Sequence, residues 1–318
     1  MKENERFISR RGTTPEQKKD AEELIAGLRE VMQEPFEGEY EKSEEQGRFI
    51  VKADKHIGEE LQRLGLPPAI QIVPERFHIL PDETYETLIT DSTWPCGFYI
   101  SSEAAAYLRG DMPRLYIFKT IMHEAVHMAS YHAHEIKKKK DNARPTVGEY
   151  RSGYYIKSTD RFLRFNEGVT DLITQEFLRA HREELEKDFP IGAKEASAAP
   201  VAYYDFEMGL IKKIIERISE KGGKMQEAVW DKIKTGFFSG HMMHLREVER
   251  FFGPGALIVL AALDDDIPPG LSGNEPEELA MKFFSTDDEA EKEEIAQKLL
   301  GGRKEDLQAY LKRRRAEH

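Results

Sequence analysis

KTIMHEAVHMAS, Lys119–Ser130, sets His123 and His127 four residues apart, with Glu124 directly after the first. Ile117, Phe118, Ile121, Ala125 and Met128 recur at helical spacing around it, which predicts a helix from Leu115 to about His134. On a helix, residues i and i+4 stand one above the other, so both imidazoles can reach one ion. Neutral imidazole nitrogen suits zinc. Glu124 is rotated off that pair, where it can take a proton from water and deliver it to a leaving amine. Ten histidines in 318 residues make H-E-x-x-H an uncommon accident. Two hydrogen-bonded histidines on an ordinary helix remain the plain alternative, and the motif alone does not decide.

A catalytic zinc needs a third protein ligand and one open position. A histidine six residues after the second, preceded by a glycine, is excluded. Ser130 and Ala133 hold those positions, and His132 and His134 are out of register. A carboxylate on a later helix is the other option. RFLRFNEGVTDLITQEFL, Arg161–Leu178, is apolar-periodic and carries Glu167 and Asp171 on one face at i, i+4. Glu167 is the candidate ligand, and Asp171 could accept the outer N–H of a ligand histidine and fix its tautomer. The alternative is that both are solvated helix carboxylates.

HEAVH followed by NEGVTD resembles the gluzincin metallopeptidases, the clan that includes thermolysin-like enzymes. The resemblance covers Lys119–Phe177 and implies His123, His127 and Glu167 as ligands of one zinc ion, Glu124 as general base and Asp171 as their positioning partner. It implies a zincin-like α+β fold, predominantly helical, with a small N-terminal sheet and a helical C-terminal lobe. It also implies zinc-dependent hydrolysis of a peptide or protein substrate. FFSGHMMHLREVERFFGPGA, Phe237–Ala256, is more loosely similar to the closing part of small bacterial metallopeptidases with the same NEG-x-T-D helix.

Forty positions separate His127 from Glu167, so Lys137–Gly148 and EYRSGYYIKS are expected to form an insertion or hairpin. Tyr150, Tyr154 and Tyr155 in that interval, or His241 and His244 downstream, are candidates to stabilise a tetrahedral oxyanion. Two other readings of the site stand beside peptide hydrolysis. One is hydrolysis of a non-peptide amide; the other is a zincin-fold protein that binds a partner with little turnover.

The rest of the chain sets bounds. Net charge is −12, which disfavours nucleic acid and anionic membranes as partners. Cys96 is the lone cysteine, so no intrachain disulfide is possible. The first residues lack the apolar core of a signal peptide and no run is long enough to span a bilayer, so a cytoplasmic location is expected. Oligomeric state stays open.

Thr14-Pro15-Glu16-Gln17 should cap a first helix, and Glu34–Arg48 reads as an exposed acidic connection. Strands are expected at Ala69–Val73, Arg76–Leu80 and Gly97–Ser101, with helices everywhere after them. The last strand, just before the motif helix, is either an edge that pairs with an extended substrate or an ordinary core strand, and the sequence does not separate the two. Three segments follow: 1–48 as helix and connection, 49–264 as the catalytic domain, and 265–318 as a charged helical tail.

Overall fold

The computed structural model of the chain describes residues 5–9, 13–89, 96–137, 146–188, 204–264, 267–268, 270–301 and 303–315. The lysine run Lys138–Lys140 and most of the loop around it lie outside the described residues. The architecture is α+β and mainly helical, and it divides into two compact units. One comprises Met1–Ser152 and Leu172–Tyr203; the other comprises Gly153–Asp171 and Tyr204–His318. The boundary cuts through a single continuous helix, Leu163–Ala180. Among the described residues no helix is long and apolar enough to cross a membrane.

In the first unit, β1 (Glu5–Ser9) leads into α1 (Pro15–Val31), which starts with the expected Thr14–Gln17 capping box. The acidic stretch after it is shorter than composition suggests. Ser43 and Gln46 form a second capping box and open α2, Glu44–Arg63. Its Phe49, Ile50, Ala53, Ile57 and Leu61 make one buried stripe. A boundary after Arg48 would therefore cut α2 in its second turn. The helix ends where Gly65 adopts φ +69, just ahead of Pro67 and Pro68.

Ala69–Val73 forms no strand, because the chain there runs into a 3₁₀ turn at Pro74–Arg76. β2 (Phe77–Leu80), α3 (Asp82–Leu88), β3 (Gly97–Ile100) and β4 (Ala105–Arg109) follow. They give a three-stranded sheet in the order β2-β4-β3, with β2 parallel and β3 antiparallel to β4. Leu80, Tyr85, Ala105 and Tyr107 form its buried cluster.

α4, Arg114–Ala129, lies between this sheet and α2. It is buried nearly all round, as a helix walled on several sides must be. The helix stops at Ser130 instead of continuing to His134, and His132–Lys137 becomes β5. β5 pairs in parallel with β1 and antiparallel with β6, Thr146–Ser152. The expectation of helices alone after residue 101 is thus corrected by β4, β5 and β6. The hairpin expected between the two motif helices is β5–β6.

The C-terminal half of α5 (Leu163–Ala180) and α6 (Arg182–Asp188) complete this unit. The Phe49 ring of α2 meets Phe118 of α4 at 4.9 Å and Phe177 of α5 at 5.8 Å. One aromatic side chain therefore ties both motif helices to α2.

The second unit holds the short strand Tyr155–Ile156 and the start of α5 and is otherwise helical: α7 (Asp205–Gly222), α8 (Gln226–Ser239), α9 (Arg246–Phe252), α10 (Ala256–Ala261), α11 (Glu275–Phe283), α12 (Glu289–Leu300) and α13 (Lys304–Arg315). α7 is central, packing on α8, α9 and α11 through Leu210, Ile211, Ile214 and Ile218. The charged C-terminal segment is not a separate solvated tail. Ile295, Leu299, Leu300 and Tyr310 are buried, and α12 packs on α10 and α11.

Candidate metal centre

α4 is fixed from behind. Its last turn presents the His127 carbonyl, which accepts from the Ser130 hydroxyl at 2.8 Å and from His132 Nε2 at 3.0 Å. Those bonds add to the one that the same carbonyl accepts from the Ser130 backbone N–H at 3.0 Å, and they mark where helix gives way to strand. Burial pushes the His132 imidazole down to about 4, so it stays neutral behind His127.

Facing the other way, the Nε2 atoms of His123 and His127 lie 3.1 Å apart. Two nitrogens held about 2.05 Å from one tetrahedral ion are separated by roughly 3.3 Å, so the pair is at hydrogen-bond distance and also close to the spacing one ion would impose. His123, His127 and Glu167 each offer a ligand atom, and the three atoms lie within 4.8 Å of one another. Among the described residues this is the group of three such side chains that could hold a metal. Two imidazoles and one carboxylate form the donor set of a catalytic zinc site with an open position. The residues present therefore fit the ion that the motif implies.

Glu124 is 3% exposed and lies against β3. A Cβ added at Gly97 would stand 3.3 Å from Glu124 Oε1 and 2.6 Å from Thr120 Cγ2. Gly97 thus lets a strand backbone pass directly beside the glutamate carboxylate, a role not visible in the motif itself.

The start of α5 is held by polar contacts. Its entry is a tight turn in which Asp160 and Phe162 both take positive φ, 51 and 66. The Asp264 carboxylate accepts from the backbone N–H of Phe162 and, at 2.7 Å, from that of Arg164, so a residue far along the chain caps the helix. The Arg164 guanidinium donates to Glu207 and Glu277, each at 2.5 Å, clamping the first turn to α7 and α11. Gly168 is where α7 crosses most closely: a Cβ there would meet Glu207 Cβ at 2.7 Å and Ile211 Cδ1 at 2.8 Å.

Asn166 accepts from the Tyr154 backbone N–H at 2.8 Å, tying the turn at Gly153 to the helix. Of the NEGVTD motif, then, Asn166 and Gly168 build the local structure that presents Glu167. Glu167 is 4% exposed and Asp171 1%, one turn apart, so neither is a solvated surface carboxylate.

Tyr154 is fully buried and its hydroxyl donates to the Ile233 carbonyl at 2.8 Å, so it anchors α8 instead of offering a proton to a substrate. The Tyr155 hydroxyl donates to Asp160 at 2.7 Å and closes the turn before α5. His241 is exposed and begins the 3₁₀ turn Met242–Leu245, with its ring 6.2 Å from that of His244. Tyr150 sits half-buried on β6.

The residues that sequence reasoning missed are those acting through space. Asp264, Arg164 and His132 have no periodic or motif signature. A scan of protein-family models, a search of the curated proteins and a search of the solved structures each find no match to this chain.

Proposed function

We propose that the chain is a zinc-dependent peptidase whose centre is His123, His127 and Glu167. One observation carries the reading: two histidines at a spacing one ion allows and a buried carboxylate as third ligand converge, with a further glutamate, Glu124, buried on the histidines' own helix. A zinc ion bound there supplies Lewis acidity, polarising a scissile carbonyl and acidifying water. Glu124 holds the proton taken from the attacking water and delivers it to the leaving nitrogen. Its enclosure between α4 and Gly97 keeps its geometry fixed.

β3 supports a peptide as substrate. It forms the edge of its sheet beside Glu124, where an extended backbone can add as a further strand. Asp171 is assigned to orienting a ligand histidine.

Glu124→Gln is the discriminating variant. Turnover of a mixed peptide library is expected to fall by about 10²–10⁴-fold while zinc content stays at the wild-type level. Wild-type protein loaded with zinc that cleaves no peptide in the library would contradict the assignment.

A further inference from the structure

A second pair of histidines lies at the far end of α5, about 20 Å along the helix from Glu167. His56 on α2 and His181 just past α5 bring Nδ1 and Nε2 to 3.2 Å. We propose that His56 and His181 form a second binding site for a late divalent transition-metal ion, of which zinc is the probe used below, with Glu184 backing His181.

Four features of the surroundings carry this. The 3.2 Å spacing is within hydrogen-bond range and also close to the roughly 3.3 Å expected of two nitrogens on one tetrahedral ion. It nearly repeats the 3.1 Å of the first pair.

Glu184 Oε2 lies 3.2 Å from His181 Nδ1, on the opposite side of the ring from His56. A carboxylate there holds the proton on Nδ1 and turns the Nε2 lone pair toward His56, the arrangement that orients and strengthens metal-binding histidines. Glu184 is itself kept ionised: Lys52, one turn before His56 on α2, donates to its other oxygen at 2.5 Å.

Phe177 sets both rings. Its centroid is 4.8 Å from His56 and 4.9 Å from His181, and the phenyl is buried. Little rotamer freedom remains to be lost on binding, because the imidazoles are already packed in place.

The side chain of His181 is also 31% exposed, which leaves room for waters in the remaining positions. Neutral imidazoles favour a borderline ion over calcium or magnesium, which take oxygen ligands. Binding needs only that His56 carry its proton on Nε2, a tautomer change with no net charge.

Two protein ligands make this the weaker site. The 318-residue chain stripped with chelator and titrated with zinc alone in a calorimeter should show two classes of binding. His181→Ala should lose the weaker class and keep the tighter. Glu184→Gln should weaken that class about tenfold. Glu167→Ala should remove the tighter class alone, so failure of the peptidase centre and failure of this site read separately. If circular dichroism shows His181→Ala unfolded, His56→Gln, which keeps a polar side chain against Phe177, decides in its place. An isotherm unchanged by loss of either histidine, or a wild type with only the class that Glu167→Ala removes, would overturn the proposal. In that case the pair is a hydrogen-bonded link between α2 and α5.

Discussion

α4 and α5 each carry part of the candidate centre and both are largely buried, yet their ends are fixed in different ways. α4 is walled by α2, β3 and β4, and eleven of its sixteen residues are buried. The start of α5 is buried from Phe165 onward as well, but its first turn is also tied by directed contacts: Asp264 on its first N–H groups, Arg164 on two glutamates, and Asn166 on the Tyr154 backbone. Burial is non-directional and writes itself into a contiguous stretch of sequence. The directed contacts here join residues from 12 to 113 positions apart and follow no periodicity in the sequence.

The largest expected difference is in global stability. Ile121 is fully buried in α4, so Ile121→Ala should cost about 2–5 kcal/mol by loss of contacts and a residual cavity. Denaturant midpoints would measure it, and a change under 1 kcal/mol would mean that α4 is not the packed element described.

Asp264→Ala should be smaller and local, about 1–2 kcal/mol for loss of a helix cap. Hydrogen exchange should quicken in Leu163–Glu167 while α4 keeps its protection. Equal loosening of both helices would erase the contrast.

The smallest effect is one of pH, with opposite signs at the two helices. Burial pushes Asp264 up to about 6, against backbone N–H groups that pull it down. Its contribution is full below its unfolded value near 4 and is lost as pH rises through 6. Burial pushes His132 down to about 4, so its contribution is full above 6.5 and is lost as pH falls through 4. Between pH 6.5 and 4 the start of α5 should firm while the end of α4 loosens. Exchange rates corrected for intrinsic pH dependence test this. Asp264→Asn should abolish the first trend and His132→Gln the second.

The same contrast explains what could be read in advance. The position of α4 and the His123–Glu124–His127 constellation were legible, because apolar residues and motif sit together within sixteen positions. Its end was misread. HAHEIK keeps an apolar rhythm, and the stop is made by the side chains of Ser130 and His132 bonding backward to the His127 carbonyl.

The α2 start was written plainly in Ser43-Glu44-Glu45-Gln46 but hidden under an acidic composition. The parallel pairing of β1 with β5 could not be read, since its partners are more than a hundred residues apart. Glu167 was found as a ligand candidate, whereas the reasons for Asn166 and Gly168 beside it appear only when α7 and the Tyr154 turn are in place. Tyr154 shows the converse. A tyrosine between ligands suggested chemistry, but packing had already committed its hydroxyl to Ile233.

The most direct test of the central claim is zinc content by elemental mass spectrometry, made in the His181→Ala background so that only the His123–His127–Glu167 centre reports. The expected result is about one zinc per chain, falling sharply when Glu167→Ala is added. No zinc retained after loading and desalting, or equal zinc with and without Glu167, would contradict it and leave HEAVH a buried helix with two facing histidines.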